Sequence, residues 1–330
     1  MEPLSRQQLD PAHLVGRRVA VFGFGAQGRA HALNLRDSAV DVVVALRPGS
    51  ASRAECERES LDVVAPEAAA EIADVAVMLV PDEVQPGLYA EILAPCLRPG
   101  VALLFAHGYN IHYGKILPRA DLDILMVAPL GIGEQVRRQY ELGRGVPALL
   151  AVHQDASGTA AALAGAYAAA NGHARAAVFP TSFAAETETD LFAEQAVLCG
   201  GLGQLVTAAF ETLTEAGYPE EIAYFCCLHE VKLIADLVQG RGLAGMRRSI
   251  SSTAAFGDAT RGARVIGRPS REAMRAILEE IRDGRFAEEL EAEMQSGQPT
   301  LHASKAAAEA HPLEAVGARV RALMPWLDEP

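Results

Sequence analysis

The sequence predicts an α/β fold: a Rossmann-type, doubly wound parallel sheet over residues 1–181, then an all-α domain over 182–330. Three observations predict it. A short apolar strand runs straight into a glycine-rich turn and a helix. Apolar strands then alternate with helical stretches as far as Thr181, and beyond that point no strand pattern recurs. A chain of 330 residues can build two domains with separate cores.

The first strand is Val19-Ala20-Val21-Phe22, followed at once by Gly23-Phe24-Gly25-Ala26-Gln27-Gly28 and a helix from Ala26 to about Leu35. Strand, G-x-G-x-x-G and helix in that order are the context in which the motif binds a dinucleotide. Gly23 permits the tight turn, Gly25 lets the backbone approach a pyrophosphate, and Gly28 allows the helix to pack closely on the strand. The pyrophosphate would rest on amides at the helix N-terminus. The bland reading is an ordinary glycine turn.

The second strand, Val40 to Leu46, ends in Arg47-Pro48-Gly49-Ser50-Ala51-Ser52. NAD enzymes place a carboxylate near this point to hold the ribose hydroxyls. Here stand a guanidinium and two hydroxyls, suited to a 2′-phosphate, so the expected cofactor is NADPH. Ser52 also reads as the N-cap of the next helix. Further strands are expected at Ala73–Val80, Val101–Phe105, Leu122–Ala128 and Ala148–Val152, alternating with helices over a mostly parallel sheet. Ligands bind beyond the carboxyl ends of such strands, so loops beginning at Asp82, His107 and Leu130 should crowd the crevice of the glycine turn. His107 is a candidate for positioning substrate or cofactor, weighed against an incidental loop histidine.

The second part should form helices over Glu186–Thr214, Tyr218–Gln239, Arg271–Ser296 and Leu313–Met324, with glycines between them. Glu186, Asp190 and Glu194 recur at i, i+4 and i+8 and share a face. Like charges at that spacing repel, which a divalent cation with a preference for oxygen ligands, such as magnesium, would relieve. An acidic, solvated first turn favoured by the helix dipole is the alternative. Glu230 either joins Asp190 and Glu194 around a cation or pairs with a neighbouring lysine such as Lys232.

Composition sets outer bounds. The net charge of −13 argues against broad nucleic-acid or anionic-membrane binding. The N-terminus is too polar for a signal peptide, and no uninterrupted apolar run is expected to be long enough for a bilayer. Cys56, Cys96, Cys199, Cys226 and Cys227 show neither zinc spacing nor a disulfide framework. The expectation is a cytoplasmic protein acting on a small molecule, with no nucleic-acid and no membrane partner.

Taken together, Gly23–Gly28, Leu46-Arg47-Pro48-Gly49-Ser50, Pro81-Asp82-Glu83, Ala106-His107-Gly108, Val152-His153-Gln154-Asp155, Glu186–Gly201, Glu221–Phe225 and Ser249-Ile250-Ser251 resemble the short-form (class I) ketol-acid reductoisomerase family over nearly the whole chain. The resemblance implies that NADPH lies on Phe24, Gly25, Ala26 and Gln27, with its 2′-phosphate on Arg47, Ser50 and Ser52. It would also touch Asp82, Glu83, Val84, Gln85 and Gly133. His107 is implied as the active-site histidine. Asp190 would bridge two magnesium ions, Glu194 would hold the first, and Glu230 of a partner subunit would help hold the second. Ser251 would bind the substrate carboxylate. The helical domain would be knotted and form an intimate homodimer with shared active sites, open to higher assembly. The implied reaction is alkyl migration in an acetohydroxy acid, then hydride transfer.

Three departures from the family pattern stand in the substrate region. The family loop Pro-Lys-Gly-Pro-Gly-His is here Pro129-Leu130-Gly131-Ile132-Gly133-Glu134, so Leu130 removes an amine that handles a proton during migration. Cys226 replaces a glutamate ligand of the second magnesium, and sulfur suits a hard cation poorly. Glu134 replaces a histidine beside the nicotinamide. These changes lead to the expectation of an NADPH-dependent reductase of a small 2-oxo acid or imine, without migration and with one magnesium or none. The alternatives are a working ketol-acid reductoisomerase and a non-catalytic NADPH-binding protein.

Overall fold

The computed structural model describes residues 1–328 and divides into two units, Met1–Thr189 and Asp190–Pro330, at a point inside one helix. In the first unit eight strands form one sheet: β1 (Arg18–Phe22), β2 (Asp41–Ala45), β3 (Asp62–Val64), β4 (Val75–Met78), β5 (Ala102–Phe105), β6 (Asp123–Pro129), β7 (Ala148–Gln154) and β8 (Val178–Pro180). Their order is β3-β2-β1-β4-β5-β6-β7-β8. All neighbours pair in parallel except β6 and β7. Successive side chains of β1 go to opposite faces, Val19 and Val21 into one apolar core and Ala20 and Phe22 into the other. Covering both faces in this way is what makes the strands apolar at every position rather than at alternate ones.

The order reverses between β1 and β4, the switch point where such sheets open a crevice. Three helices bear on that crevice: α1 (Ala26–Asp37), α2 (Gly133–Glu141) and α3 (Phe183–Ala193). Each expected strand is present, β4 being shorter than expected. Two strands, β3 and β8, were not expected; each has three residues, too few to show a pattern.

The second unit is helical, with a core of Val206, Phe210, Ala223, Tyr224, Leu313, Val316 and Val320. Its helices are more broken than the sequence predicts. The stretch Arg271–Ser296 is two helices, Arg268–Arg282 and Arg285–Gln295, because Gly284 turns the chain at φ 87°. Ser252–Val265 and Pro299–Ala310 are helices that were not expected. The run Phe183–Glu215 is 33 residues long and apolar enough for a bilayer by length and composition, and its most apolar window is 11% buried. It carries Glu186, Glu188, Asp190 and Glu194 at one end, so its apolar part is an exposed face and not a uniform cylinder.

Candidate active site

The glycine turn leaves β1 with Gly23 at φ +103°, a conformation that glycine adopts without strain. A Cβ on Gly23 would meet the Leu79 carbonyl oxygen at 2.6 Å, and one on Gly28 would meet the Gly23 oxygen at 2.4 Å. Gly25 is different: a Cβ there would meet nothing within 4 Å. The first and third glycines are therefore required by the protein itself. The second leaves open room over the N-terminal amides of α1, the room a pyrophosphate needs. By this test the turn fits a dinucleotide.

At the end of β2 the chain turns with Ser50 N–H donating to the Arg47 carbonyl at 3.2 Å. Pro48 and Gly49, the latter at φ +77°, occupy the two corners of this turn, as a type II turn requires. Arg47 is exposed and makes no ion pair among the described residues. Ser52 occupies the N-cap position of Arg53–Arg58 but makes no side-chain cap bond, so its hydroxyl is not tied to the helix as the competing reading had it.

The loops after β4 and β5 are locked together. Gln85, 5% exposed, donates from Nε2 to the Val80 carbonyl at 3.0 Å and to Asp82 Oδ1 at 3.1 Å, and accepts from Asn110 Nδ2 at 3.0 Å. Asn110 also donates to the Asp82 carbonyl at 3.0 Å. The Gln85 amide thus works inside the protein, holding the loop that carries Asp82, exposed Glu83 and exposed Val84 against the loop that carries His107.

Helix α3 supplies the residue that sequence reasoning assigned differently. Glu186, expected on one face with Asp190 and Glu194, is buried, 3% exposed, and turned to the β5 loop while its ligand atoms stay near those of Asp190. Its Oε1 accepts from His107 Nδ1 at 2.9 Å and its Oε2 from the Gly108 N–H at 2.8 Å. A carboxylate can only accept, so the pair assigns the Nδ1 proton and fixes the imidazole plane. The approach requires glycine at 108, where a Cβ would meet Thr187 Oγ1 at 2.4 Å and the Phe183 carbonyl oxygen at 2.9 Å. The neighbouring His112 lies below its ordinary pKa through burial, which outweighs Glu188 and Glu186.

Asp190 follows one turn along α3, its ligand atoms within 4.8 Å of those of Glu186. Glu194 opens a five-residue π-helical segment, Glu194–Leu198. The wider turn sets Gly200 and Gly201 against the carbonyl oxygens of Gln195 and Ala196, where a Cβ would come to 2.2 Å and 2.1 Å. A second π segment, Phe225–His229, contains Cys226 and leads into Glu230. Such segments recur at functional sites. The carboxylates Asp190, Glu194 and Glu230 are hard oxygen donors that fit magnesium; Cys226 does not fit it. The alternative, pairing of Glu230 with Lys232, is not what the described residues show: Lys232 binds Asp236 at 2.7 Å. Ser251 is the N-cap of Ser252–Val265, its hydroxyl accepting from Ala254 N–H at 3.1 Å.

Between β6 and α2, Leu130 is 53% exposed and Ile132 66%. Glu134, in the first turn of α2, is exposed. This loop rests directly on the cofactor turn: Gln27 Nε2 donates to the Gly131 carbonyl at 2.9 Å, and a Cβ on Gly133 would meet the Ala26 oxygen at 2.2 Å. Neither contact nor the Glu186–His107 pair has a sequence signal beyond the glycines themselves.

An open turn at the switch point, with a guanidinium where a 2′-phosphate would fall, belongs to a dinucleotide-dependent oxidoreductase. The profile described as the acetohydroxy acid isomeroreductase NADPH-binding domain matches residues 13–177, and that of the ketol-acid reductoisomerase C-terminal domain matches residues 183–326. The chain belongs to the ketol-acid reductoisomerase family, as an oxidoreductase with NADPH as its cofactor. A ketol-acid reductoisomerase (NADP(+)) from Kineococcus radiotolerans is 54% identical over 96% of this chain and 93% of its own. An NADH-preferring ketol-acid reductoisomerase from an uncultured archean superposes with a TM-score of 0.95 at 42% identity, covering 98% of this chain and 99% of that one. A semialdehyde dehydrogenase NAD-binding protein from Cupriavidus necator shares the fold alone, at 20% identity and a TM-score of 0.62 over 82% of this chain and 99% of its own. These relatives do not support the expected reductase that stands apart from the reductoisomerases.

Proposed function

We propose that the chain is a working ketol-acid reductoisomerase, which rearranges an acetohydroxy acid and reduces the product with NADPH. One observation carries the reading: the family match runs through both parts of the chain, so the carboxylate helix accompanies the cofactor turn. Gly23 to Gly28 cradle the pyrophosphate, and Arg47, Ser50 and Ser52 take the 2′-phosphate. Asp190 and Glu194 hold magnesium, with Glu230 completing the set from a second copy, and Ser251 meets the substrate carboxylate. Magnesium, when bound, acts as a Lewis acid toward the substrate oxygens. With leucine at 130, His107 backed by buried Glu186 is the proton-handling pair this part of the chain offers. The apolar, exposed face of Phe183–Glu215 supports a homodimer, and the enzyme we propose is cytoplasmic.

A second reading rests on Leu130 and Cys226: hydride transfer without migration. Supplying 2-acetolactate, magnesium and NADPH separates the two. Dihydroxyisovalerate is the expected product; NADPH oxidation only with rearranged 2-oxo acids or imines would overturn the first reading in favour of the second. Restoring the amine with Leu130→Lys should then raise formation of the diol severalfold or more, because general acid–base assistance contributes about 10²–10⁴-fold where it operates.

A further inference from the structure

The loop that carries Leu130 is pinned at its base by the Leu130 N–H donating to the Pro147 carbonyl at 2.8 Å. Its tip is held, among the described residues, by the side chain of Gln27, which belongs to the glycine turn. The amide orientation is fixed by chemistry: only Nε2 can donate to the Gly131 carbonyl, so Oε1 is the other end. Gln27 Oε1 is buried and has no hydrogen-bond partner among the described residues. A buried acceptor left without a donor is unfavourable, and sites of this kind call for an explanation. The loop cannot retreat from Gln27 without breaking a tight backbone contact, because Gly133 packs on Ala26 with no room for a Cβ and with Gln27 N at 2.7 Å from that position.

We propose that Gln27 is a positioning residue with two ends, Nε2 holding the Gly131 carbonyl and Oε1 accepting from bound NADPH, so that cofactor binding and placement of the Leu130 loop are one event. The pyrophosphate carries no proton at neutral pH. The cofactor groups able to donate are therefore the ribose hydroxyls, the carboxamide amine and the adenine amine. This inference rests on the NADPH reading and deepens it, and it requires no turnover.

The test compares hydrogen–deuterium exchange of a peptide spanning residues 126–136, with and without NADPH, in wild-type protein and in Gln27→Met, Gln27→Glu and Gln27→Lys. NADPH affinity is measured by fluorescence titration, and folding by the thermal midpoint. Gln27→Met keeps the length but removes both donor and acceptor. It should exchange faster across the loop even without cofactor, and bind NADPH roughly tenfold more weakly. Gln27→Glu, which places an acceptor against the Gly131 carbonyl, should show the same faster exchange. Gln27→Lys restores a donor and should recover the loop protection, which a purely volumetric role would not give. Wild-type exchange in the folded Met and Glu variants, no recovery in the Lys variant, or unchanged NADPH affinity in the Met variant would overturn the proposal. Failure of wild-type protein to bind NADPH would defeat the functional reading and the cofactor half of this one, while the exchange comparison without cofactor still decides the loop contact.

Discussion

Arg47 and Ser50 stand at the two ends of a turn shaped by Pro48 and Gly49, which brings a guanidinium and a hydroxyl to the end of β2. Charge-assisted hydrogen bonds contribute about 1.5–3 kcal/mol each, so losing one pair weakens binding by roughly 10–100-fold. Arg47→Asp adds repulsion. Titration should show NADPH affinity falling by at least that factor while NADH affinity is spared; equal losses for both would make Arg47 structural. At the other side of the crevice, Glu186→Gln keeps the shape of the buried side chain but puts a neutral amide against His107 Nδ1 and the Gly108 N–H. Loss of a group that orients a working histidine costs about 10–100-fold in comparable settings. The expected outcome is a kcat lowered by that order, with NADPH affinity unchanged.

At the scale of elements, α3 is placed by its contact with Gly108. Gly108→Ala drives a methyl into Thr187 Oγ1, on a fully buried β-branched side chain, and into the Phe183 backbone carbonyl, neither of which yields much. Overpacking of this kind costs about 1–3 kcal/mol, and a lowered thermal midpoint should record it. This contact also shows where the sequence stops being legible. Strand–turn–helix order and the i, i+4 spacing of Asp190 and Glu194 are local patterns, and the structure has the glycine turn and the helix where those patterns predict them. The partner of Glu186 lies 79 residues earlier in the chain, and nothing in either stretch encodes the pairing. The π segments at Glu194–Leu198 and Phe225–His229 are hidden for a related reason. A helical pattern reads the same with one residue inserted per turn, and only Gly200 and Gly201 hint at the wider turn. Glycine inside a helical stretch gave the opposite error at Gly284, where a break was read as continuity.

For the sheet-bearing unit as a whole, the largest consequence of burial lies away from the crevice. His31 and His173 are both 0% exposed, with ring centroids 6.2 Å apart. His31 Nδ1 lies 2.7 Å from the Tyr167 hydroxyl, and His173 Nδ1 donates to the Val146 carbonyl at 2.8 Å. The other titratable neighbour is Tyr167, on the helix Ala160–Ala170, and no carboxylate is paired with either ring among the described residues. Burial, reinforced by His173, pushes His31 down to about 3; burial pushes His173 down to about 4 against the opposing pull of the Val146 carbonyl. Each imidazole therefore binds its proton more weakly folded than unfolded. Below about pH 6.5 the unfolded chain holds more protons, and stability falls as the pH drops from there toward about 4 for one ring and about 3 for the other. At pH 5 each ring lowers stability by about 2 kcal/mol relative to pH 7, from about 1.4 kcal/mol per unit over about 1.5 units. In urea denaturation at the two pH values, His31→Gln should lose about 2 kcal/mol less than wild type on acidification. Equal losses in the two proteins would show that His31 is not held neutral by the fold.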